Sequence, residues 1–139
     1  MSGHEQQRGQ TLVEFSLGIV IFLMLLIGTI DLGRGVFTYN GVSQAAREIA
    51  RATSIHPGSG GLGASAETQD VVAVQRSLVP GLSVSSYTCV DIAGSTIATT
   101  CNPGHWVRVT VTSTFRPALP LLALFGPMTF TSASSAEIQ

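Results

Sequence analysis

Two patterns in this chain could do chemistry: a carboxylate at the edge of an apolar run, and a pair of cysteines. Glu14 stands at the mouth of FSLGIVIFLMLLIGTI, residues 15–30, which carries no charge. A carboxylate placed deep in hydrocarbon costs on the order of 3 kcal/mol by insertion scales, and less near the interface. Two readings of Glu14 stay open. It snorkels to the membrane boundary, or it makes an ion pair inside the membrane. The second needs a nearby cation, and a chain cut after Gly9 would supply one as the new α-amine of Gln10. On a single helix that amine, four residues upstream, is poorly placed. A staggered neighbouring subunit would present it well.

Cys89 and Cys101 lie far beyond the apolar run in a strand-like region. Outside the cytoplasm they would form a disulfide. It would close a loop of about a dozen residues and stabilise the fold by about 3 kcal/mol in the chain-entropy view. His105 is close enough to suggest zinc, but no fourth ligand is evident. No Gly-rich phosphate loop, H-E-x-x-H or Gly-x-Ser-x-Gly pattern occurs. Glu48, Glu67, Asp70, Asp91 and Glu137 read as solvated. The expectation is a protein that is not an enzyme and that has no cofactor, metal site or small-molecule substrate. Activity of an outer domain depending on His105 or Asp91 would be needed to revive an enzyme. The net charge is −1 and the seven Arg are scattered, with no Lys, so no nucleic-acid footprint is expected.

These groups must be positioned by the surrounding elements. Residues 11–30 would span roughly 30 Å as a helix, the hydrocarbon thickness of a bilayer. Residues 1–9 (MSGHEQQRG) read as a short polar leader that does not fold, and 10–30 as a transmembrane helix. The rest, 31–139, reads as an outer α+β domain. Within it a helix is expected over 31–53, its apolar face formed by Leu32, Val36, Tyr39, Val42, Ala46, Ile49 and Ala50. Gly33, Gly35 and Gly41 mark a bend or a close approach to a neighbouring helix, the bend favoured. Residues 54–66 read as a loop, with His56 solvated. A second helix follows over 67–79, with Val71, Val74 and Leu78 on its apolar face, flanked by Val72 and Val79. Pro80-Gly81 ends it.

From Leu82 the period changes to two, with Leu82, Val84 and Ser86 on one face. Residues 106–115 are the clearest strand: Val107, Val109 and Val111 alternate with Arg108, Thr110 and Thr112. Residues 116–127 (RPALPLLALFGP) are apolar but broken by prolines. They cap the core, lie on the membrane surface or form a contact patch. A last strand is expected over 128–136, and the tail 137–139 carries no signal. The fold class is therefore α+β: a long N-terminal transmembrane helix extending into the outer domain, a second helix, and three to four antiparallel strands within 82–136. A cleaved secretory signal is the weaker reading, because the apolar run is long and no Ala-x-Ala follows it. An uncleaved anchor and a cut after Gly9 both remain. Arg34, Arg47 and Arg51 beyond the run slightly oppose a cytoplasmic N-terminus; the cysteine pair argues for one.

Arg8-Gly9-Gln10-Thr11-Leu12-Val13-Glu14-Phe15 resembles the type IV prepilin processing site. There a glycine precedes the cut and a glutamate is fifth in the mature chain. More specifically, the chain resembles the TadE-like proteins, minor pilins or pseudopilins of tight-adherence (Flp-type) pilus systems. Residues 30–34 (IDLGR) and 45–51 (AAREIAR) resemble that family's helix beyond the membrane. Val107-Arg108-Val109-Thr110-Val111, with Phe115-Arg116-Pro117 and Leu119-Pro120-Leu121, resembles its C-terminal strand and apolar loop. The middle, about 54–102, is only compatible. The resemblance implies a processing site at Gly9 and Gln10, an assembly ion pair through Glu14, and an address in the bacterial cytoplasmic membrane with the C-terminal domain outside. Its implied partners are membrane lipid, a prepilin peptidase, other pilins and the pilus assembly platform. Gln10 departs from the bulky apolar residue that many prepilins carry there. The implied role is assembly of a Tad/Flp-type surface pilus. The alternative is an anchored extracytoplasmic binding module unrelated to fibre assembly.

Overall fold

The computed structural model describes residues 3–97, 101–119, 124 and 126–139, with side chains from Gly9 onward. One helix, α1, runs unbroken from Gly3 to Ile55. At 1.5 Å per residue its 53 residues span about 80 Å. The chain is thus helical from Gly3, contrary to the expectation that residues 1–9 do not fold. Glu5, Gln6, Gln7 and Arg8 are sound helix formers, and Gly9 alone interrupts them. No proline intervenes until Pro57, two residues past the helix end.

The second helix, α2 (Ala66–Leu78), starts at Ser65, whose side chain accepts the Thr68 backbone N–H at 3.2 Å. Such a cap contributes about 1 kcal/mol. Gly81, at φ 70°, turns the chain out of α2 into the sheet, and the Ser113 hydroxyl donates to the Pro80 carbonyl at 2.7 Å. Three strands follow, β1 (Leu82–Val90), β2 (Trp106–Phe115) and β3 (Met128–Glu137), paired antiparallel in the order β1-β2-β3. No fourth strand forms among the described residues. Between β1 and β2 the chain makes one isolated bridge, Val90 to Thr96. It then turns on Asp91, whose carboxylate accepts the Ser95 N–H at 2.8 Å.

The sheet has one dry face. Val107, Val109 and Val111 are fully buried under the α1 residues Val42, Ala45, Ala46, Ile49 and Ala50. Burying each of those valines contributes about 1.5–3 kcal/mol. Small residues on the helix let its backbone ride close over β2 and β3, while α2 fills the space against α1 and β1. The opposite face presents Ser83, Ser85, Thr110 and Thr112. Its hydroxyls pair across strands, as Ser85 does with Thr112 at 3.2 Å.

Three expectations about faces are corrected. The α1 stripe is buried from Val42 onward, but Leu32, Val36 and Tyr39 are exposed, and the covered positions there are Asp31 and Thr38. In α2 the buried stripe is Thr68, Val72 and, just past the helix, Val79, while Val74 and Leu78 are 57% and 60% exposed. Thr68 can be buried because its hydroxyl is satisfied by the His56 carbonyl and the Ser65 hydroxyl. In β1 a bulge between Val84 and Ser86 shifts the alternation by one residue. Ser86 therefore faces out, and Tyr87 and Cys89 face in opposite Val109 and Val107. Burial pushes the Tyr87 hydroxyl pKa up, partly offset by the Arg76 guanidinium.

Of the three glycines beyond the apolar run, Gly41 marks a close approach: an added Cβ would lie 2.8 Å from a Val79 methyl. The tail is also structural. Ile138 enters the core, its N–H donates to the His105 carbonyl, and the Gln139 N–H reaches the Ser54 carbonyl at the end of α1. Cys89 and Cys101 are joined in a disulfide with Cα atoms 5.6 Å apart, tying β1 to the turn that leads into β2. The apolar loop is described at 116–119, 124, 126 and 127; the expectations for 120–123 and 125 fall outside the described residues.

Gly63 adopts φ 79°, and an added Cβ would lie 2.5 Å from the Tyr87 ring. Gly63→Ala should therefore cost at least ~1–2 kcal/mol, from left-handed backbone and ring overlap together. Gly60→Ala, whose new methyl would meet only Ala64 Cβ at 3.6 Å, is the matched control. Thermal unfolding of the full chain in detergent should show a lower midpoint for the first variant only. Equal midpoints would mean that Tyr87 does not lean on Gly63.

Candidate functional site

The candidate site is the apolar N-terminal half of α1 and what leans on it. From Leu12 to Ile30 every residue but Thr29 is a large apolar one, a small one or Glu14, and the large apolar side chains are exposed on all sides. The helix is long and apolar enough to cross a membrane, and none of its most apolar window is buried by the rest of the chain. In hydrocarbon every polar group must find a partner within the segment. The hydroxyls meet that condition: Ser16 donates to the Leu12 carbonyl at 2.7 Å and Thr29 to the Leu25 carbonyl at 2.9 Å.

Glu14 is exposed, and its carboxylate accepts a hydrogen bond from the Gln10 side-chain amide at 3.2 Å. That is the i,i+4 geometry of one helix face. Gly9, Gln10 and Glu14 are thus brought together over little more than one turn. An added Cβ at Gly9 meets nothing within 4 Å, as also at Gly18, Gly28 and Gly33. Glycine in a helix interior costs about 1 kcal/mol relative to alanine. The packing of this single chain does not explain that cost at Gly9.

The cysteines and His105 do not join this site. His105 Nδ1 accepts the Asn102 N–H at 3.3 Å and lies 3.9 Å from Cys89 Sγ, which is already in the disulfide. No group of three metal-ligating side chains occurs among the described residues.

One residue of the site was not singled out by sequence reasoning. Asp31, the first residue past the apolar run, is only 2% exposed. Its Oδ2 accepts two backbone N–H groups, from Ala118 at 2.8 Å and Leu119 at 2.7 Å, and its Oδ1 accepts from Arg34 at 3.0 Å. The Arg34 guanidinium also lies over the Phe115 ring, 5.5 Å from its centroid. The signal was available: a carboxylate directly after twenty near-apolar residues, with Arg34 one turn on, in a chain whose second apolar segment contains prolines and free N–H groups.

Around Asp31 the surface is apolar. Phe130 packs edge-on to Tyr39 and tilted to Phe115, both at 6.0 Å. These rings, with Leu32, Val36 and Met128, line an open groove of about 650 Å³ between α1 and the end of the sheet. A second apolar groove continues down α1 from Leu32 to Val20, with Leu119 on its wall.

Removing the Asp31 carboxylate orphans two backbone donors and frees Arg34. Asp31→Ala should therefore cost about 2–4 kcal/mol, and Asp31→Asn, which keeps an acceptor, clearly less. Amide hydrogen exchange at Ala118 and Leu119 is the direct measurement. Protection should fall most in the alanine variant; unchanged protection there would show that the carboxylate does not hold the loop.

A comparison with curated proteins finds no match. The family comparison does, and it falls on the half of α1 just described together with the part that docks on the sheet. Residues 9–51, from the glycine of the candidate cut through the buried Ala45–Ala50 face, match the family model described as TadE-like protein, the family that the start motif and the helix beyond it resemble.

Proposed function

We propose that this chain is a single-pass, membrane-anchored minor pilin or pseudopilin-like component in the assembly of a Tad/Flp-type surface pilus. In this reading residues 1–9 are a cytoplasmic leader, 10–30 the transmembrane helix and 31–139 an extracytoplasmic domain of the bacterial cytoplasmic membrane. A prepilin peptidase cuts between Gly9 and Gln10. Glu14 then meets the new amine of a neighbouring subunit, and other pilins and the assembly platform are its partners.

The observation that carries the reading is α1 itself. One continuous helix bears the Gly9–Glu14 motif and a fully exposed apolar run, and farther along it becomes the central support of a small domain. The TadE-like match covers that same stretch. The disulfide supports an extracytoplasmic domain, because such bonds persist in oxidising compartments. The binding-module alternative gains little from the grooves. The charged group lining the first is Asp31, whose carboxylate is already engaged by three donors, so among the described side chains only the Tyr39 hydroxyl is left to orient a ligand.

The test is the intact mass and N-terminal sequence of the protein recovered from its native membrane, where a chain beginning at Gln10 is expected. A chain retaining residues 1–9 would remove both the peptidase and the amine from the proposal. A second test concerns the ion pair: Glu14→Ala should insert into the membrane as the unaltered chain does but fail to enter assemblies. Normal assembly of that variant would sink the role given to Glu14.

A further inference from the structure

The segment after β2 is apolar in sequence, and its described residues do not all join the core. Residues 117–127 carry no charge, and Leu124 is 81% exposed. Its described start does not lie over the sheet's dry face. It is held at Asp31, and Leu119 lines the same groove as Val20, Leu23, Ile27 and Leu32 of α1. If residues 11–30 cross the bilayer, Asp31 stands at its outer boundary and Leu119 lies beside the hydrocarbon-facing part of the helix.

We propose that Leu119 and Leu124 make a second membrane contact of the chain, seated among lipid acyl chains at the outer interface beside α1, with the backbone at Ala118 and Leu119 held there by Asp31. The inference rests on the anchor part of the function proposed above. Three observations carry it. The groove that joins the exposed face of α1 to Leu119 is apolar among the described residues except for Thr29, whose hydroxyl is already bonded to the Leu25 carbonyl. The backbone donors of Ala118 and Leu119, which irregular chain at membrane depth must satisfy internally, are taken by a buried carboxylate rather than left for water. And beside the loop α1 presents Tyr39, exposed and edge-on to Phe130, and Arg34, half exposed over the Phe115 ring, an amphipathic aromatic and a snorkelling cation suited to a headgroup region. A soluble partner would need polar anchors that this surface lacks; hydrocarbon needs none.

The consequence is geometric. A single helix leaves a domain free to swivel and tilt on the membrane, whereas a second contact beside it fixes which face of the domain points along the surface.

The test uses the full chain in phosphatidylcholine vesicles, with and without bromine on the lipid acyl chains near the headgroup. Single tryptophans are placed by Leu119→Trp, Leu124→Trp and, in the span, Met24→Trp, each in a Trp106→Phe background. The unaltered chain, whose Trp106 lies at the opposite end of the sheet, reports quenching far from the membrane. Leu124 and Met24 are exposed, so the larger ring is accommodated without disturbing the core. The expected result is that all three introduced tryptophans lose most of their emission in brominated vesicles while Trp106 keeps its own. Quenching at position 24 without quenching at 119 and 124 overturns the second contact and leaves the anchor standing. Absence of quenching at position 24 overturns the anchor, and this inference with it.

Discussion

The domain depends on a close fit between three valines and a run of small residues. Val107, Val109 and Val111 have no exposed surface, and they reach that state only because Ala45, Ala46 and Ala50 let α1 settle onto the sheet, with Val42 and Ile49 filling between. Larger side chains at those alanines would lift the helix and open the valine face to water. Everything else in the C-terminal domain is arranged around that contact. α2 fills the flank over β1, the bulge brings Tyr87 inward, and Ile138 closes the far end.

The same helix has to satisfy two different solvents. Over 12–30 its large apolar side chains are exposed all round, a surface suited to hydrocarbon or to the flanks of other helices rather than to water. Over 42–53 it is amphipathic and packs on protein. Asp31 sits at the change. A charge there would normally mark the end of an apolar span and nothing more. Here it is withdrawn from solvent and spent on backbone donors of another segment, which ties the sheet's membrane-side end to α1. The hydrophobic contact and this polar one lie about three to five turns apart along the helix, so the domain is held at two heights.

Much of this was readable in advance, and the exceptions have physical causes. The period-two alternation of β2 is unambiguous because one face is dry and the other carries Arg108 and threonines. β1 was misread past Val84, because a bulge adds a residue that leaves no compositional mark in a Ser-Ser-Tyr stretch. The face of α2 was misassigned because its buried stripe includes Thr68, which counts as polar in any pattern and is buried only through hydrogen bonds to residues 56 and 65. In α1, Leu32, Val36 and Tyr39 look like a continuation of the core stripe; apolar residues facing lipid or an open groove have the same periodicity as those facing protein. Glu14 stood out since a charge beside an apolar run is costly. Asp31 did not, since a carboxylate just beyond such a run looks like ordinary boundary chemistry until its partners, nearly ninety residues away, are seen.

The order of the chain gives the core a history. The α1 residues that cover the sheet are made long before what they cover: the valines of β2 follow Ile49 by about sixty residues, and Ile138 follows it by roughly ninety. At ordinary synthesis rates that interval is on the order of ten seconds. During it the Val42–Ala50 stripe has no sheet to meet, and its apolar face is open to any other partner. Completion of the domain therefore waits on late-made residues, and a protein that shields an unpartnered amphipathic helix would find its substrate here in the nascent chain.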